Sequence, residues 1–404
     1  MRDWLRALCD GRPWWMNALM FFCGYMAFVY LPWDFFLKPV AADEEVWLGI
    51  RFHGVAAKLL EIPHWAIYAA GAYGFRHMRP WLWPWAAVYV AQVAFGMLVW
   101  NAIYVGGFIG LLLGVVSFLP FLGLAWALWE ARPVFEAERP TLRERYGDWA
   151  LVTGASAGIG AEFARALARE GVSCALSARR EDRLRELAAE LEKNHQVATR
   201  VVPADLAAPD GADRLAAAVA DLDLAILVNN AGFGLAGRFD RCDPQRLREM
   251  VQLNCVAPVA LTGLLLPRLL ERGRGAVIIT GSVAGRQAMP LHGVYAATKA
   301  FDLLFGEALA VEMREHGIDV LVLEPGPTES EFQEVAREIA HPGEPASHVV
   351  AVALDALGRQ PSVVSGWGNW LRANAAQRLA PRSLVAWLAR DFMARQTPRD
   401  FGGG

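Results

Sequence analysis

The sequence predicts a doubly wound parallel α/β domain preceded by an all-α membrane-spanning domain, and three observations carry that expectation. The 404 residues are 55% hydrophobic and only 20% charged. Thirteen of the sixteen tryptophans precede residue 150, and from Pro80 through Trp129 fifty residues pass without Asp, Glu, Lys or Arg. After Arg132 the composition turns to charged, Ala-rich helical stretches alternating with short β-branched runs, the pattern of βαβ units on a parallel sheet. At roughly 150 residues per domain the length suits two or three domains. A net charge of −3, from 39 Lys+Arg and 42 Asp+Glu, supplies no field for nucleic acid, and that class of partner is excluded. The cysteines Cys9, Cys23, Cys174, Cys242 and Cys255 are scattered, which fits a reducing compartment better than a disulfide framework.

The apolar half, residues 1–131, reads as about four spans. The uncharged stretch exceeds two crossings of about 20 residues each. It divides into a helical hairpin over 81–100 and 108–129, turning around Asn101, Gly106 and Gly107. A span over 14–36, between Arg12 and Lys38, is too long and too aromatic at its exit for a cleaved signal peptide. The remaining span, 54–75, contains Lys58 and Glu61, which are three apart and able to pair on one helix face or to snorkel. Basic clusters at Arg2, Arg6 and Arg12, at Arg76 and Arg79, and at Arg132, Arg139, Arg143 and Arg145 put both termini in the cytoplasm. The loop with Asp43, Glu44 and Glu45 then faces outward, and Trp14, Trp15, Trp33, Trp81 and Trp129 sit at the interfaces. His53, His64 and His77, spaced by eleven and thirteen, match no compact metal motif, and no metal site is expected.

A linker over 132–147 leads into the α/β domain, 148–365. Residues 148–154 (DWALVTG) read as its first strand, followed by the turn Thr153-Gly154-Ala155-Ser156-Ala157-Gly158-Ile159-Gly160 and a helix. Glycines let backbone approach a pyrophosphate, and the new helix offers it free N–H groups and a positive dipole end. Where the second strand ends, an acid would read the ribose hydroxyls of NAD, yet the sequence has Ser177, Ala178, Arg179 and Arg180. Guanidinium groups suit a 2′-phosphate and favour NADP(H). Further on come Asp205 after the third strand, Asn229-Asn230-Ala231-Gly232 at the end of the fourth, and Ser282 at the end of the fifth. Tyr295 follows thirteen residues later and Lys299 four beyond that.

Together these residues resemble the short-chain dehydrogenase/reductase family over about 148–365. The ordered set TGASAGIG, NNAG, Ser282, Tyr-Ala-Ala-Thr-Lys and Pro325-Gly326 is far more specific than any one member. The resemblance implies a Rossmann-type sheet of about seven strands and hydride transfer between a nicotinamide and a carbonyl or alcohol carbon. It assigns catalysis to Asn254, Ser282, Tyr295 and Lys299, with Asn254 holding a water in the relay behind the lysine. It assigns cofactor binding to Thr153, Gly154, Ser156, Gly158, Ile159, Gly160, Arg179, Arg180, Asp205, Leu206, Asn230, Ala231, Gly232, Tyr295, Lys299, Pro325, Gly326 and Thr328. It also implies a homodimer through helices starting near Asp243 and Val294. Gly281 stands where a second serine is common, and Thr298 where serine is common before the lysine; neither removes a catalytic group.

The chemistry also follows from residue types. Tyr295 and Lys299 are i and i+4, so both side chains share one helix face. The ammonium favours the phenolate and draws the tyrosine down from its usual pKa of about 10. Ser282 can donate to a substrate carbonyl oxygen as charge develops there. Pocket edges are expected from Phe233 to Phe239, from Met289 to His292 and after Pro325, where Phe233, Leu235, Met289, Leu291 and Phe332 are apolar. The tail, 366–404, is basic and carries Trp367, Trp370, Leu371, Leu384, Trp387 and Leu388, so it reads as an amphipathic segment for an anionic bilayer surface or a helix packing on its own sheet. The expected function is reduction of a lipid-like carbonyl by a multi-pass membrane protein with a cytoplasmic catalytic domain. The rival reading is a transporter, sensor or scaffold whose dehydrogenase-like domain reports NADP(H) redox state.

Overall fold

A computed structural model describes residues 13–136 and 140–401 and divides the chain into two compact units, Met1–Arg139 and Pro140–Gly404. The first is built from four long helices: α1 (Trp14–Leu37), α2 (Gly54–His77), α3 (Leu82–Tyr104) and α4 (Gly107–Glu130). A short hairpin, β1 (Glu44–Trp47) and β2 (Ile50–His53), joins α1 to α2. Helices α1, α3 and α4 are long and apolar enough to cross a membrane. Small residues let α3 and α4 approach closely: a Cβ on Gly114 would sit 3.2 Å from the Leu98 carbonyl oxygen.

One expectation for this unit is corrected, the place of the turn after α3. Helix α3 does not turn at Asn101 but runs through it, because the Asn101 side chain bonds back to the Met97 carbonyl (2.8 Å) and across to Ser117 (3.4 Å). Within the acidic loop Asp43 is buried, paired with Lys38 at 2.8 Å and Lys58 at 3.1 Å. Lys58 pairs with Glu61 at 3.6 Å, as their spacing allows, and is buried in the same cluster. Carboxylate oxygens of Asp34, Asp43 and Glu61 lie within 4.8 Å of one another, and the ammonium groups of Lys38 and Lys58 already stand among them. His64 pairs with Glu45 and stacks on Trp47, ring centroids 4.0 Å apart. Arg2, Arg6, Cys9, Arg12 and Arg139 lie outside the described residues.

Little of 132–147 is a linker. Residues Arg132–Glu136 are helical, with Phe135 buried against Phe75, and Leu142–Tyr146 forms a helix opened by a Thr141–Glu144 capping box. Leu142 and Tyr146 are buried in the core of the second unit, which they help to start. Its strands are β3 (Trp149–Thr153), β4 (Ser173–Ala178), β5 (Thr199–Pro203), β6 (Leu224–Asn229), β7 (Gly275–Thr280), β8 (Ile318–Glu324) and β9 (Ser362–Val364). All pair in parallel, in the order β5-β4-β3-β6-β7-β8-β9, as a Rossmann-type sheet. Strands covered on both faces need continuous apolar runs, and β6 and β7 are buried at every position.

The connections are α5 (Gly158–Arg169), α6 (Glu181–His195), α7 (Pro244–Arg272), α8 (Gly293–Met313) and α9 (Ala346–Ala356). Helices α5, α6 and α9 cover one face of the sheet; α7, α8 and a helix over Gly211–Ala218 cover the other. Helix α7 is apolar and long enough to span a bilayer, yet Leu261, Leu265 and Leu269 are buried in the core with Leu227, Val277 and Ile279 of the sheet. The strand order reverses beside β3, so the crevice for a ligand opens where β3 and β6 end. The tail continues the same unit as α10 (Trp367–Leu379) and α11 (Arg382–Gln396), with Ala373, Val385 and Met393 buried.

Candidate active site

Backbone geometry shapes the floor of the crevice. Gly154 and Gly158 have φ of +68° and +55°, which disfavours any side chain. A Cβ on Gly160 would lie 2.3 Å from the Gly154 carbonyl oxygen and 2.5 Å from Asn230 Nδ2. Thr153 staples the turn to the end of β6: its hydroxyl donates to the Val228 carbonyl and accepts from the amides of Asn230 (2.9 Å) and Ala231 (3.1 Å). Asn230 Nδ2 donates to the Thr153 carbonyl, and its Oδ1 accepts from Thr280. The glycines thus let the turn close against the end of β6, and the start of α5 lines the cavity through Gly158 and Ile159, which fits a pyrophosphate at a helix N-terminus. At the end of β4, Ser177 Oγ is buried without a hydrogen-bond partner among the described residues. Beside it Arg180 donates from Nε and Nη2 to Ser156 (3.3 and 3.1 Å) and pairs with Glu331 at 2.6 Å, while Arg179 is exposed. Gly154, Ser156, Gly158, Ile159, Arg179, Arg180, Asp205, Leu206, Asn230, Ala231 and Gly232 all line one cavity of about 910 Å³, with Pro325, Gly326 and Thr328 on its far wall. The residues present fit a dinucleotide.

Ser282, Tyr295 and Lys299 converge further along the same cavity. Ser282 sits two residues past β7, where its Oγ accepts from the Ala284 amide at 3.1 Å. Burial raises the Tyr295 pKa, and this outweighs the Lys299 ammonium and the Ser282 hydroxyl hydrogen bond, both of which lower it. Burial, which the Tyr295–Lys299 spacing does not reveal, favours the protonated phenol as a proton donor. Lys299 Nζ donates to the Thr280 carbonyl (2.7 Å) and to Asp302 Oδ2 (2.9 Å). Burial works against its charge, but Asp302 and Tyr295 prevail and its pKa is raised. Asn254 lies in a π-turn of α7, Gln252–Val256, a local irregularity common at functional sites. Its Oδ1 accepts from the Phe233 amide (3.1 Å), and its Nδ2 donates to the Phe233 carbonyl and to Thr298 (both 3.0 Å). A Cβ on Gly232 would meet Asn254 Oδ1 at 3.1 Å and Lys299 Nζ at 3.6 Å, so the two groups flank that glycine.

Beyond the catalytic groups the cavity is lined by Phe233, Met289 and Phe332, as expected, but not by Leu235 or Phe239. Leu235 is buried behind the wall with Phe233 and Met250, and Phe239 points to solvent. Leu291 is also absent from the wall, which its neighbour His292 joins. The other wall comes from α10 and α11: Asn369, Arg372, Ala373, Leu388, Phe392 and Met393 face the same space. The tail therefore supplies a wall of the site, while its Trp367, Trp370, Leu384 and Trp387 are exposed. A Cβ on Gly326 would strike Asn369 at 2.2 Å, so the Pro325-Gly326 turn is shaped to seat α10. Glu338 and His341, on the loop after β8, also line the cavity. No local pattern in the sequence distinguishes them, since the fold alone brings that loop to Tyr295.

The arrangement can bind a dinucleotide and place two hydroxyls, from Ser282 and Tyr295, at one substrate oxygen. Comparisons with known proteins agree. A family model described as short chain dehydrogenase matches residues 148–340. A 7beta-hydroxysteroid dehydrogenase of Mediterraneibacter gnavus is 32% identical over 240 residues, covering 57% of this chain and 90% of that protein. A very-long-chain 3-oxoacyl-CoA reductase of Aspergillus fumigatus is 35% identical over 217 residues, 53% of this chain and 63% of that protein. Among solved structures, a 7beta-hydroxysteroid dehydrogenase aligns with a TM-score of 0.58 at 28% identity, over 62% of this chain and 99% of that one. A short-chain dehydrogenase from Sphingobium yanoikuyae in complex with NADPH aligns with a TM-score of 0.54 at 31% identity, over 57% and 92%. Glycine turn, NNAG staple, Ser282, Tyr295 and Lys299 in one crevice of a seven-stranded parallel sheet, together with these likenesses, identify the chain as a member of the short-chain dehydrogenase/reductase family of oxidoreductases.

Proposed function

We propose that the chain is a membrane-embedded, NADPH-dependent reductase of lipid-like ketones, anchored by its first unit with the catalytic unit in the cytoplasm. The observation that carries this reading is the continuity of one cavity from the glycine turn, past Tyr295, to a wall of Met289, Phe332, Leu388 and Phe392. A reacting carbonyl at Tyr295 thus has apolar surface beside it for a long or bulky substituent. Three apolar helices of crossing length support the anchor, and they would keep such a substrate near the bilayer that dissolves it. Kinship with very-long-chain 3-oxoacyl-CoA reductases supports the lipid reading, and a relative in complex with NADPH supports the cofactor. A homodimer through α7 and α8 accords with their exposed residues Val251, Leu264 and Phe301.

NADPH supplies the hydride when bound. Ser282 donates a hydrogen bond to the substrate oxygen as negative charge gathers there, and Tyr295 passes its phenolic proton to that oxygen. Lys299 holds positive charge beside the tyrosine that has given up its proton. Because Tyr295 must be protonated to act, and burial raises its pKa, kcat for ketone reduction at saturating NADPH should stay level through neutral pH. It should fall only above the ordinary tyrosine value of about 10. A pH–rate profile checks this.

The Arg179→Ala/Arg180→Ala double variant should raise KM for NADPH by about tenfold or more and leave that for NADH nearly unchanged, since a charge-assisted pair to a 2′-phosphate contributes about 1.5–3 kcal/mol. Equal losses for both cofactors would refute the assignment. The reading as a whole is tested by NADPH oxidation in nanodiscs over long-chain 3-ketoacyl, sphingoid and steroid ketones. Tight NADPH binding without turnover on any of them would defeat it.

A further inference from the structure

Within the apolar half of the cavity stands an isolated polar group. His292, three residues before Tyr295, is 3% exposed, and its Nε2 has no hydrogen-bond partner among the described residues. Its ring centroid lies 6.1 Å from that of Tyr295. Facing it at 3.5 Å is Glu338 Oε1, too far for a hydrogen bond. The other Glu338 oxygen is held by His341 Nε2 at 3.1 Å. Gln333 fixes His341 in turn, accepting from its amide and donating to its carbonyl, both at 2.9 Å. The Ile339 amide donates to the Gln396 carbonyl at 2.8 Å, which ties the loop to α11. Glu338 is therefore clamped on one side and presents its second oxygen, with His292 Nε2, to the cavity both residues line.

We propose that Glu338 and His292 form a polar subsite for a hydrogen-bond donor, a hydroxyl or an ammonium, carried close to the reacting carbonyl of an otherwise apolar ketone. This deepens the reductase reading and rests on it. Burial raises the Glu338 pKa and the His341 hydrogen bond works against that; in its ionised form the carboxylate oxygen accepts and cannot donate. Burial lowers the His292 pKa to about 4, so the imidazole is neutral and one ring nitrogen keeps a free lone pair. An ammonium donates to both groups. A hydroxyl donates to Glu338 and accepts from the Nε2–H tautomer of His292. A carboxylate or phosphate is repelled, and a thioester carbonyl, which only accepts, gains nothing from Glu338. The ring separation of 6.1 Å sets the subsite beside Tyr295, where the carbonyl reacts. Glu338 is also among the groups whose charge raises the Tyr295 pKa, after burial, so the two sites are electrostatically in contact.

The test uses the full chain in nanodiscs with NADPH and four substrates of matched length: a plain ketone, one with a neighbouring hydroxyl, one with a neighbouring ammonium, and a 3-oxoacyl thioester. The native chain should prefer the two donor-bearing ketones. Glu338→Gln should lower their kcat/KM, through KM, by about 10- to 100-fold more than that of the plain ketone, with the ammonium substrate hit hardest. His292→Phe, which keeps an aromatic ring and removes both nitrogens, should act in the same direction and guards against a folding defect in one variant. In parallel, calorimetry on the NADP⁺-saturated chain reads the affinity of the corresponding alcohols. Loss of donor-bearing alcohol binding in Glu338→Gln, even with no ketone turned over, supports the subsite and defeats the reductase reading instead. Equal effects on all four substrates, a native preference for the thioester or the plain ketone, or alcohol binding indifferent to Glu338→Gln overturns the subsite.

Discussion

Tyr295→Phe should lower ketone turnover by about 10²- to 10⁴-fold, the range of a positioned general acid, while NADPH still binds within about tenfold of the native affinity. The substitution removes one oxygen and keeps the ring, which packs against Phe332 with centroids 5.3 Å apart, so the cavity wall survives. What disappears is the proton donor. Ser282 cannot replace it, because a hydroxyl beside the substrate oxygen stabilises charge but has no neighbouring ammonium to carry its own anion. Ser282→Ala should cost less, about 10²- to 10³-fold, as for one donor lost from an oxyanion site. The order of the two variants is the informative result. A larger loss at Ser282 than at Tyr295, in single-turnover experiments with NADPH prebound, would mean that proton transfer runs through another group.

Much of this site was legible before the fold was known, for a physical reason. Groups that must meet a cofactor are fixed to strand ends and helix starts, where spacing in sequence maps onto position in space. The thirteen residues from Ser282 to Tyr295 run from just past β7 into the first turn of α8. Gly154 and Gly160 could be named because close backbone approach tolerates no Cβ there. The second wall of the cavity was not legible. Leu388 and Phe392 reach it from α11, and Glu338 from a loop, through tertiary contacts that leave no periodic trace. The basic, Trp-bearing tail carries features of both its readings: Ala373, Val385 and Met393 are buried, while Trp367, Trp370 and Trp387 are exposed. In the apolar half, long helices were evident from composition, whereas burial of Asp43 against Lys38 and Lys58 depends on a hairpin that no hydropathy count reveals.

Lys299→Met should abolish measurable activity and also destabilise the catalytic unit by about 3–5 kcal/mol, the cost of removing one partner from a buried ion pair. The stability loss arises at Asp302, which is 1% exposed and depends on Lys299 Nζ at 2.9 Å; its Oδ1 has no hydrogen-bond partner among the described residues. Burial raises the Asp302 pKa, so without the ammonium the carboxyl takes up a proton rather than remain charged. The two losses separate in a double variant. Lys299→Met/Asp302→Asn removes both charges, leaves a neutral amide of the same shape, and should recover most of the melting temperature while activity stays absent. If Asp302→Asn alone is fully active, the carboxylate serves only to hold the lysine. If it lowers kcat with Lys299 in place and the fold intact, the Asp302–Lys299 pair sets how readily Tyr295 gives up its proton, and the descending limb of the pH–rate profile should move with it.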